Sequence, residues 1–181
     1  MSAIYLPNIL LAIPRNPVTA LGLPLGLGIL SGAGTAKVVR SSWYENLAVP
    51  PGRPGRQVFP IVWPILYLSM GYASHLAVKA LDSTVSVSAR NDLLLGIALY
   101  YAQLSLNFAW SPLFFNLKQV GLALIDSVAL AGTTYYMTKL LDGPTNSQTT
   151  YFLIPYCAWL TFATYLNGGI WWLNKDKSKK D

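Results

Sequence analysis

Phe59-Pro60-Ile61-Val62-Trp63-Pro64-Ile65-Leu66-Tyr67 begins an apolar run that continues to about residue 78. Two prolines fall at its start, where missing N–H groups are tolerated best, so the run predicts a helix that opens near Phe59. Just before it lies Trp43-Tyr44-Glu45-Asn46-Leu47, then a basic bend from Pro50 to Arg56 stiffened by Pro50, Pro51 and Pro54. Proline fixes φ and removes a donor, so a rigid aromatic loop is set at the mouth of the helix.

The rest of the chain resembles this run. Apolar residues make up 53% of the 181 and charged residues 11%, against roughly 25% charged in a soluble domain. Five stretches, about 17–36, 58–78, 93–115, 120–138 and 151–173, carry few charges or none. Each reaches or approaches the roughly 20 residues that cross a bilayer core. The second, third and fifth carry the clearest signal. The first is Gly-rich and holds Pro24, which predicts a kink. The expected fold class is therefore an all-α membrane protein, a single bundle of five transmembrane helices over 17–174. An N-terminal lead (1–16) precedes it and a basic tail (175–181) follows. The lead shows neither a signal peptide nor a clear mitochondrial presequence.

The net charge of +6 reads as topology rather than as a nucleic-acid surface. With five spans, Lys37, Arg40, Arg53, Arg56, Lys118, Lys175, Lys177, Lys179 and Lys180 share one side; Arg15, Lys79, Arg90 and Lys139 share the other. The positive-inside rule places the first group in the cytosol and the N-terminus opposite. The tail is a solvated flank able to touch anionic lipid. Cys157 is alone, so no intramolecular disulfide exists, and one histidine, His75, cannot make a metal site. His75 is expected at the membrane interface. No Ser-His-Asp or Cys-His set points to a hydrolase, so no catalytic residue is assigned.

Small pairs at i, i+4 allow close helix approach in lipid. Gly22/Gly26 is read as intramolecular packing; Gly28/Gly32 and Ala98/Ala102 are further pairs that serve contacts within the monomer or between monomers, a homodimer through the third span being one such reading. Gln103 and Asn107 share a face that Trp110 extends, as interhelical glue or as pocket lining. Asp126 lies in the fourth span, either hydrogen-bonded between helices or functional, since ionisable groups at such depth face protein or water. Trp159 and Ala163 form a large-beside-small notch, open to a ligand or filled by packing.

Four ordered blocks carry a resemblance: Trp43-Tyr44 with Leu47 and Pro50; Pro60 to Tyr67 with Met70-Gly71-Tyr72; Gln103-Leu104 with Asn107, Trp110, Pro112 and Phe114-Phe115; and Pro155-Tyr156 with Trp159, Phe162-Ala163 and Leu166-Asn167. From Trp43 to Asn174 the chain resembles the translocator protein family, also called the peripheral-type benzodiazepine receptor and, in bacteria, the tryptophan-rich sensory protein. The resemblance implies a five-helix bundle, often dimeric. It also implies a cavity, opening toward the first loop, that takes tetrapyrroles (porphyrin or haem) and, in animals, cholesterol; no cofactor is required.

By position, Trp63 and Trp159 match the paired pocket tryptophans and Tyr44 a loop tyrosine near them. Asn107, Trp110 and Ala163 match residues that line or brace the cavity, and Phe59 joins the ligand-binding set. Indole faces suit a flat macrocycle. The family's loop Trp and Lys are replaced by Gly52 and Val49, and the sterol motif after Leu166-Asn167 by Gly168-Gly169 and Trp172. That favours tetrapyrroles over cholesterol. The expected role is binding, sensing or transport of such a ligand. The rival readings are a scaffold recruiting partners and a light-dependent porphyrin-degrading activity. The resemblance also implies the outer mitochondrial membrane, with the endoplasmic reticulum or a bacterial membrane as alternatives.

Overall fold

The computed structural model describes residues 4–175, and most of the expected tail, 176–181, lies outside them. Seven α-helices and no strand occur among the described residues. They are α1 (Asn8–Arg15), α2 (Pro17–Thr35), α3 (Ser42–Glu45), α4 (Phe59–Ser83), α5 (Val87–Ser111), α6 (Val120–Asp142) and α7 (Gln148–Asn174). α4 packs against α2, α5 and α7, and α6 closes the bundle against α5 and α7.

The ends follow from local chemistry. The Asn16 side chain accepts from the Val18 amide and Pro17 occupies the first turn, which starts α2. Ser86 caps α5 by accepting from the Ala89 amide. Pro60 sits at the start of α4 as expected, but Pro64 lies inside the helix, beyond its first turn. Pro24 and Pro155 are likewise internal to α2 and α7.

Four helices among the described residues are long and apolar enough to cross a membrane: Pro17–Arg40, Arg56–Ser83, Val87–Asn116 and Val120–Asp142. The protein is an integral membrane protein. The fifth expected span, over α7, is not among these four. α7 has 27 residues, and at about 1.5 Å per residue it has the length. Its apolarity falls short, although this was expected to be one of the clearest spans. Gln148, Thr149, Thr150, Thr161, Thr164 and Asn167 dilute it, and several of them face other helices.

The glycine contacts also differ from expectation. A Cβ on Gly22 or Gly26 would meet nothing within 4 Å, so this pair does not pack inside the bundle. Gly32 is equally open, Ala102 is exposed and Ala98 is half-buried. The close α2–α4 approach uses Gly71, against whose missing side chain the Ala20 carbonyl lies, and Gly28, which lies on the Tyr67 ring.

The N-terminal lead is not a loose leader. α1 docks on the α4–α5 end of the bundle through three side chains. His75 Nδ1 donates to the Pro14 carbonyl at 2.9 Å, Tyr101 donates to the Leu10 carbonyl at 2.9 Å, and Arg15 grips Asp82 in a fork with both contacts at 2.8 Å. Hydrogen bonding to Asp82 raises the Arg15 pKa above its ordinary value. His75 is thus half-buried against backbone.

Candidate ligand site

One aromatic cluster is built by α4 and α7 near the start of α4. α4 and α7 each offer an indole there, and the two meet edge to face: Trp63 and Trp159 centroids lie 6.4 Å apart at 89°. Phe59, one turn before Trp63, meets the Trp159 ring edge-on at 5.8 Å. Tyr67, one turn after Trp63, stacks on it at 5.5 Å and on Phe108 at 6.0 Å. Trp159, Phe162 and Tyr165 follow one another along α7, 5.7 and 6.4 Å between centroids. Tyr165 ends this row by donating to the Pro51 carbonyl of the first loop at 3.0 Å. Ala163, a turn beyond Trp159, is half-buried.

Beneath the rings runs a buried polar chain. Tyr67 donates to Asn107 Oδ1 at 2.9 Å, Asn107 Nδ2 donates to Tyr156 Oη at 3.0 Å, and Tyr156 donates to Gln103 Oε1 at 2.8 Å. Gln103, Asn107 and Tyr156 are all buried. Here the glue reading of Gln103 and Asn107 prevails. Their amides link α4, α5 and α7, and Asn107 fixes the tilt of Tyr67 under Trp63. Buried polar groups in low dielectric must be paired, and this network pairs them.

Two buried side-chain atoms lack a hydrogen-bond partner among the described residues: the Trp159 indole Nε1 and Asp126 Oδ2. The indole N–H is a donor only, so it needs an acceptor that no neighbouring residue supplies. Asp126 is on the inner face of α6 and makes no interhelical hydrogen bond among the described residues, contrary to the simpler of its two readings. Ser127 beside it pairs with Thr164 at 2.7 Å instead.

Tyr44 and Trp110 belong to a second cluster. The Ser41 hydroxyl caps α3 by accepting from the Tyr44 amide, which sets Trp43 and Tyr44 on one turn. They meet Phe114 and Phe115, which sit on a wide turn, Pro112–Asn116, that continues α5. Trp110 stacks on Phe114 at 4.8 Å and donates to Asn167 Oδ1 at 2.8 Å. Its N–H is spent on bracing α5 to α7, whereas that of Trp159 has no acceptor among the described residues. No ring of this cluster stacks on the Trp63–Trp159 pair among the described residues.

The first loop is strapped onto α7. The Asn174 amide pairs both ways with Ala48, accepting from its N–H at 3.0 Å and donating to its carbonyl at 2.8 Å. Buried Pro50 lies over Gly169, where a Cβ would come within 2.5 Å of Pro50 Cγ. So the residue that breaks the sterol motif has a contact of its own. That role was illegible beforehand, because the partner is more than a hundred residues away. The rings at the mouth close on one another. A separate void of about 10 Å³, bounded by Met70, Tyr100, Met137 and Leu153, has room for about one water and touches none of these aromatics. No group of three or more His, Cys, Asp or Glu side chains able to hold a metal ion occurs among the described residues.

Residues 20–173 match the TspO/MBR family. The chain is 45% identical over 133 residues to the translocator protein homolog of Schizosaccharomyces pombe, covering 72% of this chain and 77% of that protein. It is 33% identical over 161 residues to the translocator protein of Homo sapiens, covering 89% and 92%. It is also 33% identical over 155 residues to the tryptophan-rich protein TspO of Chlorobaculum tepidum, covering 85% and 92%.

Proposed function

Since the chain belongs to the TspO/MBR family, we propose that it binds a planar or sterol-like apolar ligand, a tetrapyrrole first and a sterol second, between α4 and α7. The observation that carries this reading is the buried Trp159 N–H without an acceptor, set among Phe59, Trp63 and Phe162. A buried unpaired donor costs about 1–3 kcal/mol, and a ligand oxygen or nitrogen placed there removes that cost. The rings supply flat apolar area on which a macrocycle stacks. Trp63 and Trp159 part to admit it, Tyr67 and Asn107 hold the floor, Ala163 leaves space beside Trp159, and Tyr44 and Trp110 brace the loop side. Binding serves sensing or transport; scaffolding is the second role and light-driven porphyrin breakdown the third.

α7 crosses the bilayer as the fifth span in this reading, because polar side chains along it are hydrogen-bonded to neighbouring helices. Thr161 bonds Tyr135 and Thr164 bonds Ser127 across to α6, and Asn167 bonds Trp110 across to α5. With five crossings, Arg53, Arg56, Lys118 and Lys175 share the cytosolic face and the N-terminus lies opposite. The outer mitochondrial membrane is the proposed location, and a homodimer the proposed assembly.

The test is a titration of detergent-solubilised protein with protoporphyrin, followed by tryptophan fluorescence, with a sterol added in competition. Saturable quenching that weakens in Trp63→Ala and in Trp159→Ala is expected. Variants that remain folded and bind like the parent would refute the site.

A further inference from the structure

The end of the bundle that holds the first loop carries cations mounted on aromatic rings. Lys118 Nζ lies over the Trp43 ring at 5.4 Å, and Arg53 and Arg56 lie over the adjoining Tyr44 ring at 4.8 and 5.8 Å. At the end of α7, Lys175 Nζ lies over the Trp172 ring at 3.3 Å. Glu45, the one carboxylate in the loop 36–58, the turn 112–119 and the last turn of α7, pairs with Arg56 at 3.5 Å. Lys37, Arg40, Arg53, Lys118 and Lys175 have no acidic partner among the described residues.

These segments are fixed to one another. Trp43 meets Phe114 at 6.1 Å, the turn Val38–Arg40 packs on Pro112–Asn116, and the Asn174 amide holds Ala48. Lys118 is constrained further. Its φ of 55° lies in the left-handed region, which suits glycine or asparagine. Two flanking hydrogen bonds hold it there: the Leu117 N–H donates to the Pro112 carbonyl and the Gln119 N–H to the Leu113 carbonyl, both at 2.9 Å. The fold thus keeps a lysine where its backbone is strained and lays its ammonium on Trp43. Strain of this kind concentrates at functional positions.

The neighbouring side chains indicate what these cations face. Leu117, Trp171, Trp172 and Leu173 are exposed beside Lys118 and Lys175. In an integral membrane protein, exposed indoles at a helix end lie at the bilayer interface, which puts the cations at headgroup depth. Cation–π contact holds each cation at its ring and leaves its outer N–H groups for a phosphate. We infer that Lys118, with Arg40, Arg53 and Lys175 around it, seats the phosphate of an acidic phospholipid, so that this rim selects acidic over zwitterionic lipid from the bilayer. The seat is independent of the ligand site between α4 and α7. A soluble anion would have no use for the exposed indoles.

The experiment reconstitutes the full chain in phosphatidylcholine bilayers containing a small fraction of brominated phosphatidic acid or brominated phosphatidylcholine. Bromine quenches nearby tryptophan, and Trp43 and Trp172 carry cations themselves. The parent is expected to favour the acidic lipid roughly tenfold, the scale of more than one cation near an anionic headgroup. Lys118→Gln should lower that preference roughly fivefold, Lys175→Gln should lower it less, and Lys118→Arg should retain it. Lys139→Gln removes a charge at the opposite end, in the last turn of α6, and should leave the preference unchanged. Melting temperatures of the variants confirm that each is folded. Equal quenching by the two lipids in the parent would overturn the inference. So would equal losses in Lys118→Gln and Lys139→Gln, since net charge alone would then attract the lipid. Inorganic phosphate that displaces the lipid further than chloride at equal ionic strength would assign the seat to a soluble anion and overturn it as well.

Discussion

Gly169→Ala tests how the first loop is held over the candidate site. The added Cβ would lie 2.5 Å from Pro50 Cγ, 2.6 Å from its Cβ and 3.2 Å from its Cδ. An ordinary carbon contact needs about 3.5 Å, so the Pro50 ring must retreat by about 1 Å. Pro50 is rigid and buried, and the backbone on both sides moves with it. Three hydrogen bonds tie that backbone to α7: Ala48 to Asn174 at 3.0 and 2.8 Å, and Tyr165 to Pro51 at 3.0 Å. Stretched by about 1 Å each, they leave the bonding range.

At about 0.5–1.5 kcal/mol net per bond, complete release would cost about 1.5–4.5 kcal/mol. Overpacking without release costs about 1–3 kcal/mol, and the structure takes the cheaper path. We therefore expect a loss of about 2 kcal/mol, concentrated in the loop. Amide hydrogen exchange reads it directly: Ala48 N–H, bonded to Asn174 in the parent, should exchange roughly 30-fold faster, the equivalent of that energy. Gly168→Ala is the internal control, since its Cβ would meet only Leu124 Cδ1 at 3.6 Å, an ordinary contact. Unchanged Ala48 exchange in Gly169→Ala, or equal loss in both variants, would refute the strap.

Three further expectations follow from particular contacts. Gly71→Val drives a side chain into the Ala20 carbonyl and should lower stability in detergent by about 1–3 kcal/mol; Gly22→Ala, with nothing within 4 Å, should be neutral, and equal effects would contradict the α2–α4 crossing. Tyr156→Phe removes one partner from each of Asn107 and Gln103 at a site with no exposure. It should cost about 1–3 kcal/mol in denaturant or thermal unfolding, and a neutral result would mean the polar chain contributes nothing. Asp126→Leu replaces a carboxylate that is 8% exposed, with one oxygen unpartnered, by an apolar group of similar size. The melting temperature should rise, and a fall would show that Asp126 has a stabilising partner in the membrane.

Much of this architecture was legible in the order of residues, and the exceptions share a cause. The apolar runs located α2, α4, α5 and α6, because hydropathy and length are local properties. But the run 93–115 missed the first turns of α5, which starts at Val87, and the runs 58–78 and 120–138 stopped short of the ends of α4 and α6. The Trp63–Trp159 pairing came from the four-block resemblance, and the rings do meet. Gln103 and Asn107 were visibly on one face, but only the fold shows that Tyr156 and Tyr67 consume their amides. Tyr44 and Trp110 were grouped with the indole pair, yet they pack with Phe114 and Phe115 instead.

The docking of α1 left no pattern, since His75, Tyr101 and Arg15 reach backbone carbonyls and one carboxylate across long separations. Glycine spacing misled for Gly22 and Gly26. A small residue permits close approach but does not say which neighbour approaches, and the approach occurs at Gly28, Gly71 and Gly169. The aromatic, charge-free run of α7 reads as a clear span, while Thr161 and Thr164, bonded to α6, and Asn167, bonded to Trp110 of α5, lower its apolarity.

In the proposed site the Trp159 N–H, unpaired among the described residues, and its surrounding rings hold the ligand. Trp159→Phe keeps an aromatic ring in place and removes only the donor and part of the ring area. Protoporphyrin affinity and thermal stability, measured on parent and variant in the same detergent, test it together. Binding weaker by roughly fivefold or more is expected, with stability held or raised because a buried unpaired donor is gone. Equal affinity in parent and variant, or a variant that loses stability while binding as before, would contradict it.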